Sequence, residues 1–246
     1  MLDKTDYIYG IRAVIEAAQS GKEFDKVLVS NDLHGDLARE LMGVLKEHGI
    51  LIKKVPAERI DRITRRNHQG VLAILSAVTY DSLANVVPQI FEQGKVPLIV
   101  LLDGLTDVRN FGAIARTCEC AGVDAIVIAR RGGVSVNADA MKTSAGALNY
   151  LPVCRETGLV NSIKYLHDCG FQVVAATEKG AMEYTKADFT LPTAIVMGAE
   201  DVGISEDVLR LCDVRAAIPQ LGRIGSLNVS VAAGVMIYEA VRQRGE

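Results

Sequence analysis

The stretch that decides the fold is PLIVLLDGLTDVRNFGAIARTCECAG, residues 97–122. It begins with a continuous apolar run of strand length, as a strand that is buried on both faces requires. A polar loop follows, and then a helical pattern in which Phe111, Ile114 and Cys118 lie on one apolar stripe. A buried strand, a loop and an amphipathic helix in this order are typical of the α/β class.

Further apolar segments alternate with helical patterns along the rest of the chain: DAIVIA, FQVVAAT, TAIVMGA and VRAAIP. Together they predict a parallel sheet covered by helices on both faces. Ligands of such sheets bind at the carboxyl ends of the strands. We therefore expect the chemistry in the loops after Leu102, Ala176, Met197 and Ile218.

The first 80 residues carry a separate α/β pattern of shorter elements: helix IRAVIEAA, strand KVLVS, helix DLARELMGVLKEHG, strand ILIKKV, helix AERIDRITRR and strand VLAILSA. A chain of 246 residues also exceeds the usual size of one domain. We predict a small domain at 1–78, a linker at 79–96 and a second domain at 97–246. The linker should contain one short helix that is interrupted near Pro88.

Composition excludes several classes of protein. With 49% hydrophobic and 5% aromatic residues the chain is neither disordered nor collagen-like. Its net charge of −3 gives no general attraction for nucleic acid, so any such contact requires a local basic patch. No apolar run is long enough to span a bilayer, and the stretch MLDKTDYIYG lacks the apolar core of a signal peptide, which predicts a cytoplasmic protein.

The metal-binding residue types show no ligand spacing. Five cysteines form no C-x-x-C pair, and the four histidines form no H-E-x-x-H pattern. We predict buried free thiols, no disulfide framework and no metal.

The expected strand-end loops lack both G-x-G-x-x-G and the G-x-x-x-x-G-K-[ST] phosphate loop. Instead, Asn110 can cap a helix, Gly198, Glu200 and Gly203 follow a buried strand, and Ser226 can cap a helix that exposes Asn228 in its first turn. Capping or a tight turn explains each loop taken alone. Their common position at the strand ends of one domain points to a ligand site.

These loops also carry a specific resemblance. N-x-G-x-x-x-R at 110–116, G-x-E-x-x-G at 198–203 and I-P-x-x-G-x-x-x-S-L-N-V-S at 218–230 resemble the three signature motifs of the SpoU family of RNA ribose methyltransferases. YIYGIRAVIEA and NHQGVLAIL resemble that family's substrate-binding domain, which is similar to ribosomal protein L30e. Two positions depart from the pattern: Val108 stands where the family often has Pro, and Gln220 where it often has Met.

The resemblance implies a homodimer with a deep trefoil knot in the second domain. It also implies an enzymatic activity. Members of the family most similar to this chain transfer a methyl group from S-adenosylmethionine to the ribose 2'-OH of a guanosine in the peptidyl-tRNA-site loop of 23S rRNA. A tRNA ribose methyltransferase and a non-catalytic RNA-binding protein of the same fold are the alternatives.

The resemblance also implies roles for individual residues, without a metal. The catalytic set carried over from the motifs is Asn110, Arg116, Glu200, Ser226 and Asn228. The cofactor-binding set is Thr177, Met197, Gly198, Ile218 and Leu227.

RNA binding by the first domain is expected in KKVPAERIDRITRRNHQG, residues 53–70. Arg59, Arg62 and Arg66 recur at helical spacing on one face, and Ile60 and Ile63 lie on the other. An ordinary solvated helix face would show the same pattern. The L30e-like context favours contact with the RNA backbone by these arginines, with Lys53 and Arg65 extending the patch.

Overall fold

The computed structural model describes residues 7–179 and 182–245, so the outer bounds predicted at 1 and 246 lie outside the described residues. The chain divides into two compact units between Thr79 and Tyr80, and Ser135–Ala138 belong to the first unit. The elements of the first unit are β1 Tyr7–Tyr9, α1 Ile11–Gln19, β2 Phe24–Ser30, α2 Asp36–Glu47, β3 Ile52–Val55, α3 Ala57–Asp61 and β4 Val71–Leu75.

The first unit is a four-stranded mixed sheet in the order β1-β4-β2-β3. Strands β2 and β3 are parallel, and the other two pairs are antiparallel. Helices α1 and α2 cover one face through buried residues such as Val14 and Leu41. Gly10 offers no side chain to cap α1, and Gln69 takes that role because its Oε1 accepts from the N–H of Ile11 at 3.1 Å.

The segment 135–138 completes the first unit from far along the chain. The N–H of Ala77 donates to the carbonyl of Val136 at 2.9 Å. The Ser135 hydroxyl donates to the Asp25 carboxylate and accepts from Lys26 at 2.8 Å. Asp25 is buried, so these bonds offset the cost of removing its charge from water.

The second unit contains the remaining elements, apart from Ala138, the first residue of α6, which belongs to the first unit. They are α4 Leu83–Glu92, β5 Leu98–Asp103, α5 Val108–Cys120, β6 Ala125–Ala129, α6 Ala138–Thr143, β7 Val153–Glu156, α7 Leu159–Asp168, β8 Gln172–Ala176, β9 Met182–Glu183, β10 Thr193–Gly198, α8 Glu206–Leu209, β11 Val214–Ala217 and α9 Val229–Arg244. Short 3₁₀ turns lie at Ala147–Asn149 and Tyr184–Lys186.

The predicted parallel sheet is confirmed. Seven parallel strands run in the order β7-β6-β5-β10-β8-β11-β9. Helices α4, α7 and α8 pack on one face, against strand residues such as Leu101 and Val173. The alternate residues, such as Val100 and Leu102, are also buried, and α5 and α9 contact the sheet.

The segment 80–96, expected as part of a linker, belongs to the second unit. Leu83, Val86, Val87 and Ile90 of α4 enter its core. Pro88 does not interrupt this helix. It lies on the exposed face, where water can satisfy the carbonyl of Ala84 that loses its helical partner.

The end of α9 is tied to two distant loops. The guanidinium of Arg244 donates to the carbonyls of Val96 at 2.7 Å, Pro97 at 3.0 Å, Phe189 at 2.9 Å and Leu191 at 3.0 Å. A planar group with five donors suits this arrangement. The last helical turn is thereby fixed beside the starts of β5 and β10.

Among the residues that the structure describes, none of the helices combines the length and the apolar character needed to cross a membrane.

Candidate active site

The predicted strand-end loops lie at one edge of the second sheet. Strands β5, β10, β8 and β11 are neighbours and run in the same direction, so their carboxyl ends meet there. The Asp103 carboxylate at the end of β5 accepts from the N–H of Ser205 at 2.7 Å, which ties the β5 end to the loop after β10.

Helix α5 begins differently from the prediction that Asn110 caps it. The cap is Asp107, whose carboxylate accepts from the N–H of Asn110 at 2.7 Å. Asn110 is the third helical residue, and its side chain is free for another contact. Its Nδ2 donates to Oε1 of Glu200 at 3.2 Å.

Helix α9 is capped by Asn228 and not by Ser226, so that prediction was also wrong. Oδ1 of Asn228 accepts from the N–H of Ser230 at 3.0 Å. Nδ2 of Asn228 donates to Oε1 of Glu200 at 2.5 Å and to Oδ1 of Asn110 at 3.0 Å. The same side chain therefore caps the helix and joins the site.

Glu200 connects these two helix starts. Its Oε1 accepts from the amides of Asn110 and Asn228 and from the N–H of Val229 at 3.3 Å. A carboxylate at the first turn of α9 also interacts favourably with the positive end of the helix dipole. Three of the five residues predicted as catalytic thus form one hydrogen-bonded network, which we call the Asn110–Glu200–Asn228 network.

The turn after β10 requires glycine at its first position. A Cβ on Gly198 would lie 2.2 Å from the carbonyl carbon of Gly203 and 2.3 Å from the nitrogen of Ile204. Gly203 adopts φ of +70° and donates its N–H to the carbonyl of Ala199 at 2.8 Å. The backbone folds tightly back on the strand end, and this turn forms one wall of a cavity.

A cavity of about 360 Å³ opens at the same edge. Its size lies at the lower end of the range for small-molecule sites. All five residues predicted to bind a cofactor line it, and so do Glu200 and Ser226. Several other lining residues were not predicted, although they lie in the loops that the sequence singled out; among them are Glu178, Lys179, Asp201 and Val202.

Arg116 lies apart from this cavity and network. It is six residues beyond Asn110, which is about 9 Å along a helix axis. It is exposed and makes no hydrogen bond or ion pair within 7–179 and 182–245. Its long side chain therefore has no partner among the described residues and is available to a partner from outside them.

The basic residues predicted to bind RNA are all exposed: Lys53, Arg59, Arg62, Arg65 and Arg66. Helix α3 ends at Asp61, however, so Arg59, Arg62 and Arg66 do not share a continuous helical face. Beyond the helix, Thr64 turns the chain, and its hydroxyl accepts from the N–H of Arg66 at 3.4 Å. The Arg66 guanidinium donates to the Tyr9 hydroxyl at 3.1 Å, a bond that raises the pKa of Arg66 further.

The cysteines are only partly as predicted. Cys118 and Cys154 are buried, and burial raises the pKa of Cys154 to about 12. Cys120 is exposed because it falls on the outer side of α5. In the described part of the chain, no three His, Cys, Asp or Glu side chains converge on a common metal position.

Comparison with known proteins identifies the family to which this strand-end site belongs. Residues 97–238 match the SpoU rRNA methylase family, and residues 7–81 match the family described as RNA 2'-O ribose methyltransferase substrate binding. A Staphylococcus saprophyticus protein named as a TrmH family tRNA/rRNA methyltransferase is 35% identical over 237 residues, covering 96% of this chain and 95% of that protein. The chain belongs to the SpoU family of RNA methyltransferases.

Two solved structures illustrate the range of the likeness. The AdoMet-bound rRNA methyltransferase from Sinorhizobium meliloti is 28% identical, with a TM-score of 0.62, and the match covers 96% of this chain and 87% of that one. The A. aeolicus TrmH/SpoU tRNA modifying enzyme is 32% identical, with a TM-score of 0.57, and the match covers 61% of this chain and 77% of that one.

The tight turn at Gly198 generates a prediction about stability. Gly198→Ala should lower the free energy of unfolding by about 1–3 kcal/mol, because the new Cβ meets backbone atoms that move only with the whole turn. Gly225→Ala is the matched control, since Gly225 lines the same cavity but an added Cβ meets nothing within 4 Å. Equal unfolding midpoints of the two variants in urea would contradict the close approach.

Proposed function

We propose that the chain transfers a methyl group from S-adenosylmethionine to the ribose 2'-OH of a guanosine in the peptidyl-tRNA-site loop of 23S rRNA, in the cytoplasm. The observation that carries the proposal is the Asn110–Glu200–Asn228 network beside a cavity of about 360 Å³ at the carboxyl edge of a parallel sheet. Resemblance to RlmB, which has this activity, supports the choice of nucleotide.

The cavity suits S-adenosylmethionine chemically. Met197, Ile218 and Leu227 offer apolar contacts to an adenine ring, and Thr177 offers a polar group. Gly198 brings backbone close to the cavity without a side chain in the way. When bound, the cofactor supplies an electrophilic methyl group on a sulfonium.

The residues of the chain then have to position the ribose and stabilise the negative charge that develops on its 2'-oxygen. The Asn110–Glu200–Asn228 network would orient the ribose or the cofactor, and Ser226 would line the same cleft. A guanidinium keeps its proton at neutral pH, so Arg116 is a poor general base. Hydrogen-bonded to the 2'-oxygen, it would stabilise the negative charge that develops there, while phosphate or water takes the proton.

Ribosomal RNA is favoured over tRNA by the extent of the likeness. The match to the rRNA methyltransferase covers 96% of this chain, whereas the match to the tRNA modifying enzyme covers 61%. We infer that the first unit binds the larger RNA. The alternative of a non-catalytic RNA-binding protein is disfavoured because Asn110, Glu200 and Asn228 hold one another as a site would require.

The resemblance further supports a knotted second unit and a homodimer. Helix α9 carries an exposed apolar stripe: Val231 and Tyr238 are seven residues apart, on the same side, and are 53% and 50% exposed. A second copy of this stripe would be a self-complementary partner for it.

Two measurements test the function. Mapping of 2'-O-methyl groups on 23S rRNA from cells with and without the protein should reveal one guanosine that lacks the methyl group only when the protein is absent. Calorimetry with the full chain should detect S-adenosylmethionine binding, and Gly198→Ala should weaken it while Gly225→Ala should not. A folded chain that binds no S-adenosylmethionine would refute the proposal.

The proposed role of Arg116 predicts a separation of chemistry from binding. Arg116→Ala should reduce the single-turnover methylation rate at least about 100-fold, because transition-state charge loses its partner. Arg116→Lys should restore little, since a lysine lacks the planar fork. Cofactor affinity should stay unchanged in both, because Arg116 does not line the cavity. A near-native rate for the alanine variant would make Arg116 an ordinary surface residue.

The proposed dimer predicts a specific sensitivity on α9. Val231→Glu with Tyr238→Glu should give a monomer by light scattering, because two charges would be buried against two others. Leu191→Glu serves as the control, since Leu191 is 50% exposed but lies outside α9. An unchanged mass for the double variant would exclude this stripe from the interface.

A further inference from the structure

The two faces of the sheet in the first unit are covered unequally. Helices α1 and α2 bury one face. The other face holds a small cluster centred on Leu28, Leu72 and Ile60, and α3, which contributes Ile60, has only five residues. Strand β1 forms an edge of the sheet, so its side chains on this second face have a neighbouring strand on one side only.

Two tyrosines occupy that edge. Tyr7 and Tyr9 alternate along β1 and therefore point to the same face, where Tyr7 packs against the small cluster. Their ring centroids are 6.3 Å apart with an interplanar angle of 47°. Both residues are half-buried, so the rings are held in place while part of their surface stays accessible.

Arg66 completes the group. Its guanidinium carbon lies 5.9 Å from the centroid of the Tyr9 ring, and Nη1 donates to the Tyr9 hydroxyl at 3.1 Å. No ion pair joins Arg66 to a carboxylate within the part of the chain that is described. The hydroxyl orients the guanidinium without neutralising it, which leaves its charge and other donors for an external acceptor.

Arg66 lies in a basic segment of a chain whose net charge is −3. Residues 59–66 contain four basic side chains and one acidic one, Asp61, which already accepts from His68 at 2.9 Å. A fixed aromatic pair beside an exposed arginine and further cations has the composition of a site for single-stranded nucleic acid.

We propose that Tyr7, Tyr9 and Arg66 form a stacking platform for one unpaired base of the RNA substrate. The inference rests on the proposed function only in taking RNA as the partner. The base stacks on the exposed tyrosine surface, and Arg66 binds the adjoining phosphate or a carbonyl of the base. A base inside a duplex is already stacked, so the platform selects a loop or a single strand.

Stacking contacts and ionic contacts depend differently on salt concentration. Binding by this platform can therefore be distinguished from binding by the neighbouring basic residues. A lost phosphate contact lowers the dependence of affinity on salt by about 0.7 in the logarithmic slope for a single strand. A lost stacking contact lowers affinity at every salt concentration and leaves the slope unchanged. The two contributions can therefore be measured in one titration.

The experiment uses the full chain and a short single-stranded RNA that carries 2-aminopurine, an adenine analogue whose fluorescence falls when it stacks. The chain has no Trp, so excitation at wavelengths longer than those that tyrosine absorbs reports on the analogue alone. The analogue is moved through the positions of the strand, and at one position binding should quench it. A duplex of the same sequence should show no added quenching.

Three variants locate the effect. Tyr9→Leu should weaken binding roughly fivefold to a hundredfold and abolish the quenching, with an unchanged salt slope. Tyr9→Phe keeps the ring and should keep the quenching. Tyr150→Leu is the control, because Tyr150 is 80% exposed in the second unit. Circular dichroism confirms that each variant is folded.

The inference is overturned if the single strand shows no quenching with the unaltered chain, a result that needs no variant to fold. It is also overturned if Tyr9→Leu behaves like the unaltered chain, or if Tyr9→Phe loses as much as Tyr9→Leu. Because methyl transfer is not the readout, absence of methylation would refute the proposed function and leave the stacking result standing. Intact methylation with no stacking would refute the platform alone.

Discussion

A single carboxylate oxygen, Oε1 of Glu200, joins three parts of the second unit that are remote in sequence. It accepts from Asn110 on α5, from Asn228 at the start of α9 and from the backbone of Val229. Its own position follows from the tight turn between Gly198 and Gly203 at the end of β10. The wall of the cavity and the starts of both helices therefore depend on one acceptor.

This arrangement explains why the same residues serve structure and site. Asn228 satisfies a free N–H of α9 with its oxygen and reaches Glu200 with its nitrogen. An amide carries its acceptor and its donor on separate atoms of one flat group, whereas a serine hydroxyl has one oxygen for both roles and an ionised aspartate offers acceptors only. Asp107 meanwhile caps α5 and leaves the Asn110 side chain free. Each helix start thus contributes a neutral amide to a network with one carboxylate.

The sequence predicts the strands and their ends well because buried parallel strands are continuous apolar runs. It predicts the caps poorly, because Asp107 and Asn110, or Ser226 and Asn228, are chemically similar candidates, and their contacts with Glu200 come from loops that are distant in sequence. The length of α3 was overestimated because arginine spacing continues past the point where the helix ends. Segment 135–138 gave no signal, since its role lies in bonds to residues more than 50 positions away.

The four carbonyl bonds of Arg244 have a consequence for the order in which the chain acquires its fold. They join the last turn of α9 to Val96 and Pro97, almost 150 residues earlier, and β10 must lie between β5 and β8. Pairings between such distant residues form late, because closing a long loop costs entropy before any contact repays it. During synthesis, β1 to β4 are present early, whereas the second sheet stays incomplete until its last strands and Arg244 have emerged. We therefore expect the nascent chain to expose apolar strands of the second sheet until then, and such strands are prone to aggregate during that interval.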